Sequence, residues 1–307
     1  MMVSILVPVY NAAPFLKECV SSLVGQTYKD LQIVMIDDGS TDDSWDIMKQ
    51  MAHEDKRIEV YSKPNAGVAS TRNQLLGKVR GEWVLFVDSD DWIDLDTVEV
   101  LLKAQAEGDV DIVAYKKNGR SSGHKTYYNQ EQAIRHFLEH TSFRGSLWDK
   151  LIRSSLFDKL QFDENVSYGE DALMVWNVLQ RVKSVLILDK AMYHYRVNMN
   201  SLSRQSFNGK KFTEHIVWDS ICEDTDEMWP QYSDIAHARF ACEMTQVLKS
   251  AAAADYRHDS SISLLQEEVR RDGRLISRTG ISSRKMSMFA WLVSHCYWLA
   301  RFVAKRV

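Results

Sequence analysis

Three carboxylates, Asp88, Asp90 and Asp91, follow directly on the apolar run Val84-Leu85-Phe86-Val87. Four apolar residues in succession fit a strand buried on both faces. Hard carboxylate oxygens just past the carboxyl end of such a strand are what a divalent cation carrying a diphosphate requires. Neighbouring acids repel unless a cation or solvent compensates, so a purely structural reading of the cluster is poor. The segment points to a metal-bound nucleotide. A second acidic pair, Glu170-Asp171, heads an apolar-periodic stretch. By itself it reads as the acidic start of a helix over 172–182, favoured by the helix dipole.

Several elements must position these acids. Val3 to Val7 is an apolar run ended by Pro8, and Phe15, Leu16, Cys19, Val20 and Leu23 then show helical spacing. Leu31 to Ile36 is a second strand, ending in Asp37-Asp38-Gly39-Ser40-Thr41-Asp42, with a helix after it through Trp45, Ile47, Met48 and Met51. Ile58 to Tyr61 makes a third strand, followed by Asn65-Ala66-Gly67 and a helix carrying Val68, Leu75 and Leu76. The strand at Val84 is the fourth. Strands alternating with helices imply right-handed parallel crossovers and an open α/β sheet with helices on both faces. That topology gathers Tyr10-Asn11, Asp37-Asp38, Pro64-Asn65 and Asp88-Ser89-Asp90 on one edge, where ligands of such sheets bind. No G-x-G-x-x-G follows the first strand, which argues against a dinucleotide-dependent dehydrogenase. No glycine-rich basic loop stands there either, which argues against a nucleotidyltransferase.

The 307 residues suit one large domain or two modest ones. A net charge of −4 offers no basic excess for a phosphate backbone, so nucleic acid is not an expected partner. Cys19, Cys222, Cys242 and Cys296 are far apart, with no C-x-x-C spacing. Neither a zinc site nor a disulfide framework is indicated, and a reducing cytoplasm is the expected home. The start of the chain, M-M-V-S-I-L-V-P-V-Y-N, has no basic leader or small-residue cleavage site and reads as a first strand.

Five segments in order, V-S-I-L-V-P-V-Y-N, I-D-D-G-S-T-D, N-A-G-V-A-S-T-R-N, F-V-D-S-D-D and Y-G-E-D, together resemble the family 2 inverting nucleotide-sugar glycosyltransferases of GT-A fold. The likeness covers roughly the first two-thirds of the chain. It implies a Rossmann-like, mostly parallel sheet, a UDP-sugar donor, Mn2+ or Mg2+, and a product that extends a bacterial surface polysaccharide. By the same resemblance Pro8 and Tyr10 border the base and ribose, and Asp38 reads the uracil imide. A carboxylate accepting from that N–H would prefer uracil over cytosine, which lacks the donor. Residues 37–42 can equally form a turn and cap the next helix, and both roles can hold together. Arg72 is expected near the diphosphate or the metal-site carboxylates, with Asn65 and Lys63 as further nucleotide contacts. Asp88 goes to the ribose and metal neighbourhood, Asp90 to direct metal ligation, and Asp91 to a supporting or capping role.

In the second part of the likeness Asp171 is the base that takes the acceptor hydroxyl's proton during in-line attack, and Glu170 orients it or meets the acceptor. Tyr168 precedes this pair and is a further acceptor contact. His194, in Met192-Tyr193-His194-Tyr195-Arg196, stands where relatives place a histidine that completes the metal shell. Trp148-Asp149-Lys150-Leu151 resembles a segment near the acceptor, so Trp148 and Lys150 are candidate contacts; Trp148 reads equally as a core residue. Lys116 to Tyr128 looks like a loop, and Ser201, Ser203 and Arg204 a polar segment able to close over the diphosphate.

Beyond about Asn208 the likeness fades and the pattern becomes helical. Ile216 to Met228, Ile235 to Ala253 and Ile262 to Ile276 read as helices, followed by an aromatic-rich apolar one. The expected division is a GT-A domain over 1–207, with a nucleotide half at 1–100 and an acceptor half at 101–207, and a helical region over 208–307. Arg270, Arg271, Arg274, Arg278, Arg284 and Lys285 precede Met288-Phe289-Ala290-Trp291-Leu292-Val293 and Tyr297-Trp298-Leu299-Ala300, and Lys305-Arg306 follow. Such a pattern over 284–306 suits the headgroup zone of an anionic membrane, giving a peripheral enzyme at the inner face of the cell membrane with a lipid-linked saccharide acceptor. Packing on its own domain, or pairing in a homo-oligomer, is the competing reading. His295 and Arg301 speak against a transmembrane helix. A different class also fits the chain: a catalytically silent nucleotide-sugar-binding or scaffold subunit, against which the intact acidic motifs argue.

Overall fold

The structure is a computed structural model that describes residues 1–117, 119–197, 207–257 and 260–304. Strands β1 (Val3–Val9) and β2 (Leu31–Asp37) are buried along nearly their whole length, as central parallel strands covered on both faces must be. β3 (Ile58–Ser62), β2, β1 and β4 (Trp83–Phe86) lie side by side in that order, all parallel. Helices α1 (Ala13–Val24), α2 (Ser44–Glu54) and α3 (Val68–Leu76) connect them. The chain thus steps outward from β1 to β3, then returns to lay β4 on the other side of β1. Strand order reverses there, and the carboxyl ends of β1 and β4 flank the place where such a sheet takes its ligand.

Beyond β4 the sheet becomes mixed. β8 (Lys150–Arg153) runs antiparallel to β4 and to β6 (Ile112–Lys117), and β9 (Ser184–His194) runs parallel to β6. β5 (Trp92–Ile93) and β7 (Lys125–Asn129) both pair antiparallel with β9. The expected parallel sheet is therefore present and is extended by reversed strands. The expected loop over 116–128 contains β7, whose polar composition follows from an edge strand with much of its surface in solvent.

Side-chain alternation sorts the sheet's two faces. Val3, Ile5, Val7 and Val9 pack with Ile33, Met35 and Leu85, under Leu16, Val20 and Leu23 of α1 and Val98 and Leu101 of α4 (Thr97–Gly108). Phe86 points to the opposite face and meets the rings of Phe157 and Phe162 edge-on at 6.1 and 6.2 Å.

Two compact units result, one of residues 1–134, 142–164 and 174–197, the other of 135–141, 165–173 and the described residues from 207 onward. Helix α5 (Gln130–Leu138) and helix α6 (Glu170–Leu179) contribute to both. α6 begins two residues before the expected start, so Glu170 and Asp171 form its first turn. The three expected helices of the second unit are α7 (Glu214–Met228), α8 (Ser233–Ala253) and α9 (Ser260–Thr279). The aromatic-rich helix is two: α10 (Arg284–His295) and α11 (Tyr297–Ala304), parted at Cys296. Among the described residues no helix is long and apolar enough to cross a membrane.

Candidate functional site

Tyr10 lies one residue past β1 and is 52% exposed, while Pro8 is half-buried within the strand. The turn after β1 is laced to the turn after β2. Thr41 donates its amide to Asn11 Oδ1 (2.8 Å), and Asn11 and Ala13 donate theirs to Ser40 Oγ (2.9 Å) and Asp42 Oδ2 (3.0 Å). Gly39 has φ +70°, and a Cβ there would stand 2.8 Å from the Asn65 amide nitrogen, so only glycine fits.

Asp38 is buried and holds the third turn. Its Oδ1 accepts from the Ala66 amide (2.9 Å) and its Oδ2 from Gly67 (3.0 Å), with the Lys63 ammonium paired to Oδ1. The sequence has residues 37–42 form a turn and cap the next helix; Asp38 instead braces the turn after β3, and Asp43, which leads into α2, makes no side-chain cap bond. A carboxylate has about four acceptor positions, so one more donor can be taken. Asn65 stands exposed on the same turn.

Arg72, buried on α3, sets Nη2 3.7 Å from Asp88 Oδ1 and lies 5.7 Å over the Phe162 ring. Asp88 donates its amide to the buried Tyr193 hydroxyl at 3.2 Å and is half-exposed itself, as is Asp90. Asp91 closes the turn, its amide donating to the Asp88 carbonyl (3.1 Å) and its Oδ1 accepting from the Arg196 amide (2.7 Å). Burial pushes the Asp91 carboxyl up to about 6, against the pull of the Arg196 amide and the Tyr193 hydroxyl. Arg196 also donates from Nε to the Asp90 carbonyl (2.9 Å), pairs with Glu18, and lies over the rings of Trp92 (4.7 Å) and Phe15 (5.1 Å). Sequence reasoning missed Arg196; the only signal was its place in the H-Y-R triplet.

The expected metal shell of Asp88, Asp90 and His194 is not gathered. His194 faces Trp92 across the β5–β9 pair, stacks on it at 5.1 Å and 8°, and sets Nε2 2.6 Å from Asp94 Oδ1. Among the described residues no group of three or more His, Cys, Asp and Glu side chains could hold an ion. The donors do fit a cation that needs few protein ligands. Two half-exposed carboxylates at a strand's end suit a metal that takes one or two protein oxygens and completes its shell with diphosphate and water.

Trp148 is half-buried, its ring 4.6 Å from that of Tyr193, and its carbonyl accepts from the Tyr115 hydroxyl at 2.8 Å. Lys150 is different. Its side chain has no exposure; the ammonium stands 2.5 Å from Asp149 Oδ1, donates to the Ser146 carbonyl at 2.6 Å, and lies 4.6 Å over the Phe143 ring. Burial pushes the Asp149 carboxyl up and the neighbouring ammonium draws it back. An acceptor contact at Lys150 does not fit this placement, because a wholly enclosed cation meets no solute; it supports the turn that carries Trp148.

In the second unit, Thr213 Oγ1 accepts from the amides of Ser167 (3.0 Å) and Tyr168 (3.2 Å), fixing the loop that enters α6. Gly169 follows with φ +84°, and the Lys211 ammonium lies 5.5 Å over the half-exposed Tyr168 ring. Glu170 and Asp171 come next, at the amino end of α6. Nearby Glu214 has its carboxyl pushed up to about 8, first by burial and then by the charge of Glu243, with Arg239 and Lys211 opposing and Glu170 adding to the rise. Ser201, Ser203 and Arg204 lie outside the described residues.

The chain is similar to known proteins. The family described as Glycosyl transferase family 2 matches residues 4–167. Glycosyltransferase GlyA of Streptococcus pneumoniae serotype 4 is 35% identical over 219 residues, 66% of this chain and 31% of GlyA. The uncharacterized glycosyltransferase EpsJ of Bacillus subtilis is 33% identical over 217 residues, 66% of this chain and 63% of EpsJ. The chain therefore spans about a third of one relative and under two-thirds of the other. Among solved structures, S. aureus TarS 1–349 in complex with UDP-GlcNAc superposes over 100% of this chain and 90% of its own, with a TM-score of 0.66 at 20% identity, a likeness of fold.

Proposed function

The chain belongs to glycosyl transferase family 2, and from that premise we propose that it moves a sugar from a UDP-sugar to a hydroxyl of a saccharide acceptor, with inversion at the anomeric carbon. The observation that carries the reading is the acidic turn after β4. Asp88 and Asp90 stand half-exposed where strand order reverses, with the Arg72 guanidinium 3.7 Å from Asp88.

Tyr10 offers its ring to the base, and Asp38 offers its remaining acceptor position to the uracil N–H. Arg72 balances diphosphate charge. Asp88 and Asp90 would hold Mn2+ or Mg2+, which stabilises negative charge on the departing UDP. Asp171 takes the acceptor hydroxyl's proton as that oxygen attacks, with no covalent intermediate, and Glu170 orients it. Trp148 and Tyr168 present rings to the acceptor's sugars. The TarS complex supports a UDP-sugar as donor. The aromatic, basic end of the chain supports a lipid-linked acceptor for a bacterial surface polysaccharide.

UDP release from a panel of UDP-sugars, with and without divalent metal and lipid-linked acceptor, tests the reading. Acceptor-dependent release is expected for one donor. Asp90→Ala should remove the metal's effect on UDP affinity. Equal UDP affinity with and without metal in the unaltered protein would sink the ligand assignment.

A further inference from the structure

Residues 270–307 hold nine of the chain's 38 lysines and arginines but only one, Asp272, of its 42 acidic residues. This end is strongly cationic in a chain whose net charge is −4. Helices α10 and α11 carry apolar side chains on two opposed faces. The inner face, Ala290, Val293, Ala300 and Ala304, is buried in the second unit. The outer face bears Met288 (72% exposed), Trp291 (60%), Trp298 (64%) and Phe302 (67%).

The roll of both helices is fixed by contacts on the inner side. Gln266 donates to the Val293 carbonyl (2.9 Å), Ser277 meets Ser287 (2.8 Å), and Tyr297 donates to the Tyr256 carbonyl (3.3 Å). Arg301 pairs with Asp255. The aromatic stripe is thereby held outward. Exposed Arg284 and Lys285 lie at one end of it, and α9, which packs beside α10, carries exposed Arg270 and Arg274, with Arg278 paired to Asp234.

We propose that this face docks on an anionic bilayer surface, with Trp291, Trp298 and Phe302 entering the headgroup zone and the basic residues meeting lipid phosphates. Tryptophan is at home at that depth, and each nearby basic residue adds attraction to an acidic leaflet. An isologous dimer through the same face would instead bring two cationic surfaces together. The inference deepens the reading of a lipid-linked acceptor, and its test requires no turnover.

Co-sedimentation of the full chain with phosphatidylglycerol-rich vesicles should show binding, against little with phosphatidylcholine. Binding should fade in about 1 M salt, where the screening length is ~3 Å. Brominated lipid should quench tryptophan emission. Arg284→Glu/Lys285→Glu should lower partitioning at least about tenfold, as should Trp298→Ser/Phe302→Ser, with unaltered melting curves and unaltered UDP release on a soluble acceptor. No binding, or equal binding to both lipids, overturns the proposal. So does concentration-dependent dimerisation that Trp298→Ser abolishes, which assigns the face to a second copy. Loss of UDP release with vesicle binding intact would count against the transferase reading alone.

Discussion

Replacing Arg196 by alanine should loosen the acidic turn without touching its carboxylates. The substitution removes the Nε bond to the Asp90 carbonyl, contacts over Trp92 and Phe15, and an ion pair with Glu18. A hydrogen bond from a charged donor contributes about 1.5 kcal/mol. Two partly exposed cation–ring contacts contribute about 0.5 kcal/mol each. Glu18 is 55% exposed and its pair adds little. The loss is about 2–3 kcal/mol. The Arg196 amide still reaches Asp91 in the variant, so the effect reports the side chain alone. Arg196→Lys should fall between, since an ammonium keeps the charge but not the planar fork. Urea denaturation followed by tryptophan emission measures the chain's stability, and titration with UDP plus metal measures the site. Affinity should drop more with metal than without. An Arg196→Ala protein with unaltered denaturation midpoint and UDP affinity would refute the assignment of this arginine as the brace of Asp90.

Asp171→Asn should keep UDP binding while transfer falls about 10^2- to 10^4-fold, the range of a lost general base; near-normal turnover in that variant would remove Asp171 from the chemistry. Lys150→Met leaves the Asp149 carboxylate enclosed without its cation and should cost about 3–5 kcal/mol by thermal melting, much of it recovered in Asp149→Asn/Lys150→Met. Stability of the second unit should decline as pH rises above neutrality. Asp272 and Asp226 flank His237 at 3.1 Å on either ring nitrogen and push its pKa up from 6.5 to about 9. A raised folded-state value means that this stabilisation is complete below 6.5 and is lost as pH rises through 9, about 1–2 kcal/mol after allowance for partial exposure. Glu214, raised from 4.5 to about 8, acts in the same direction across its own window. Denaturation midpoints compared at about pH 6 and pH 10 check this, and a flat profile would contradict it.

The first four strands were legible because each is an uninterrupted apolar run ended by a polar turn, and burial on both faces demands that composition. β7 and β5 were not. Lys125-Thr126-Tyr127-Tyr128-Asn129 has the composition of a loop because it is an edge strand, and two residues at Trp92-Ile93 carry no period at all. The break at Cys296 has neither proline nor glycine to mark it. The acidic turn was visible as three carboxylates, but its brace was invisible. Arg196 is 106 residues from Asp90 along the chain, and only the pairing of β5 with β9 brings them together. His194 shows the same limit: its residue type suits a metal, while its partner, Asp94, was set by that strand register. Lys150 sat in a segment that resembles an acceptor loop, and only burial distinguishes an enclosed cation from a presented one.

Burial also separates two uses of acid along the ligand edge. Asp37 and Asp91 are at most 2% exposed, and their oxygens accept from backbone or neighbouring polar groups that form the turns. Asp88, with a side chain 31% exposed, and half-exposed Asp90 stand within the same few residues and face outward. The division follows from the strand itself. Once Val87 is buried beside β1, the chain must leave the sheet in a tight turn; Asp91 then closes that turn inward, and Asp88 and Asp90 are left at its rim. A single acidic cluster can therefore be structural and chemical at once. Asp91 would supply the rigidity that the proposed diphosphate site needs, because outward carboxylates bind a cation well only when their geometry is held before it arrives.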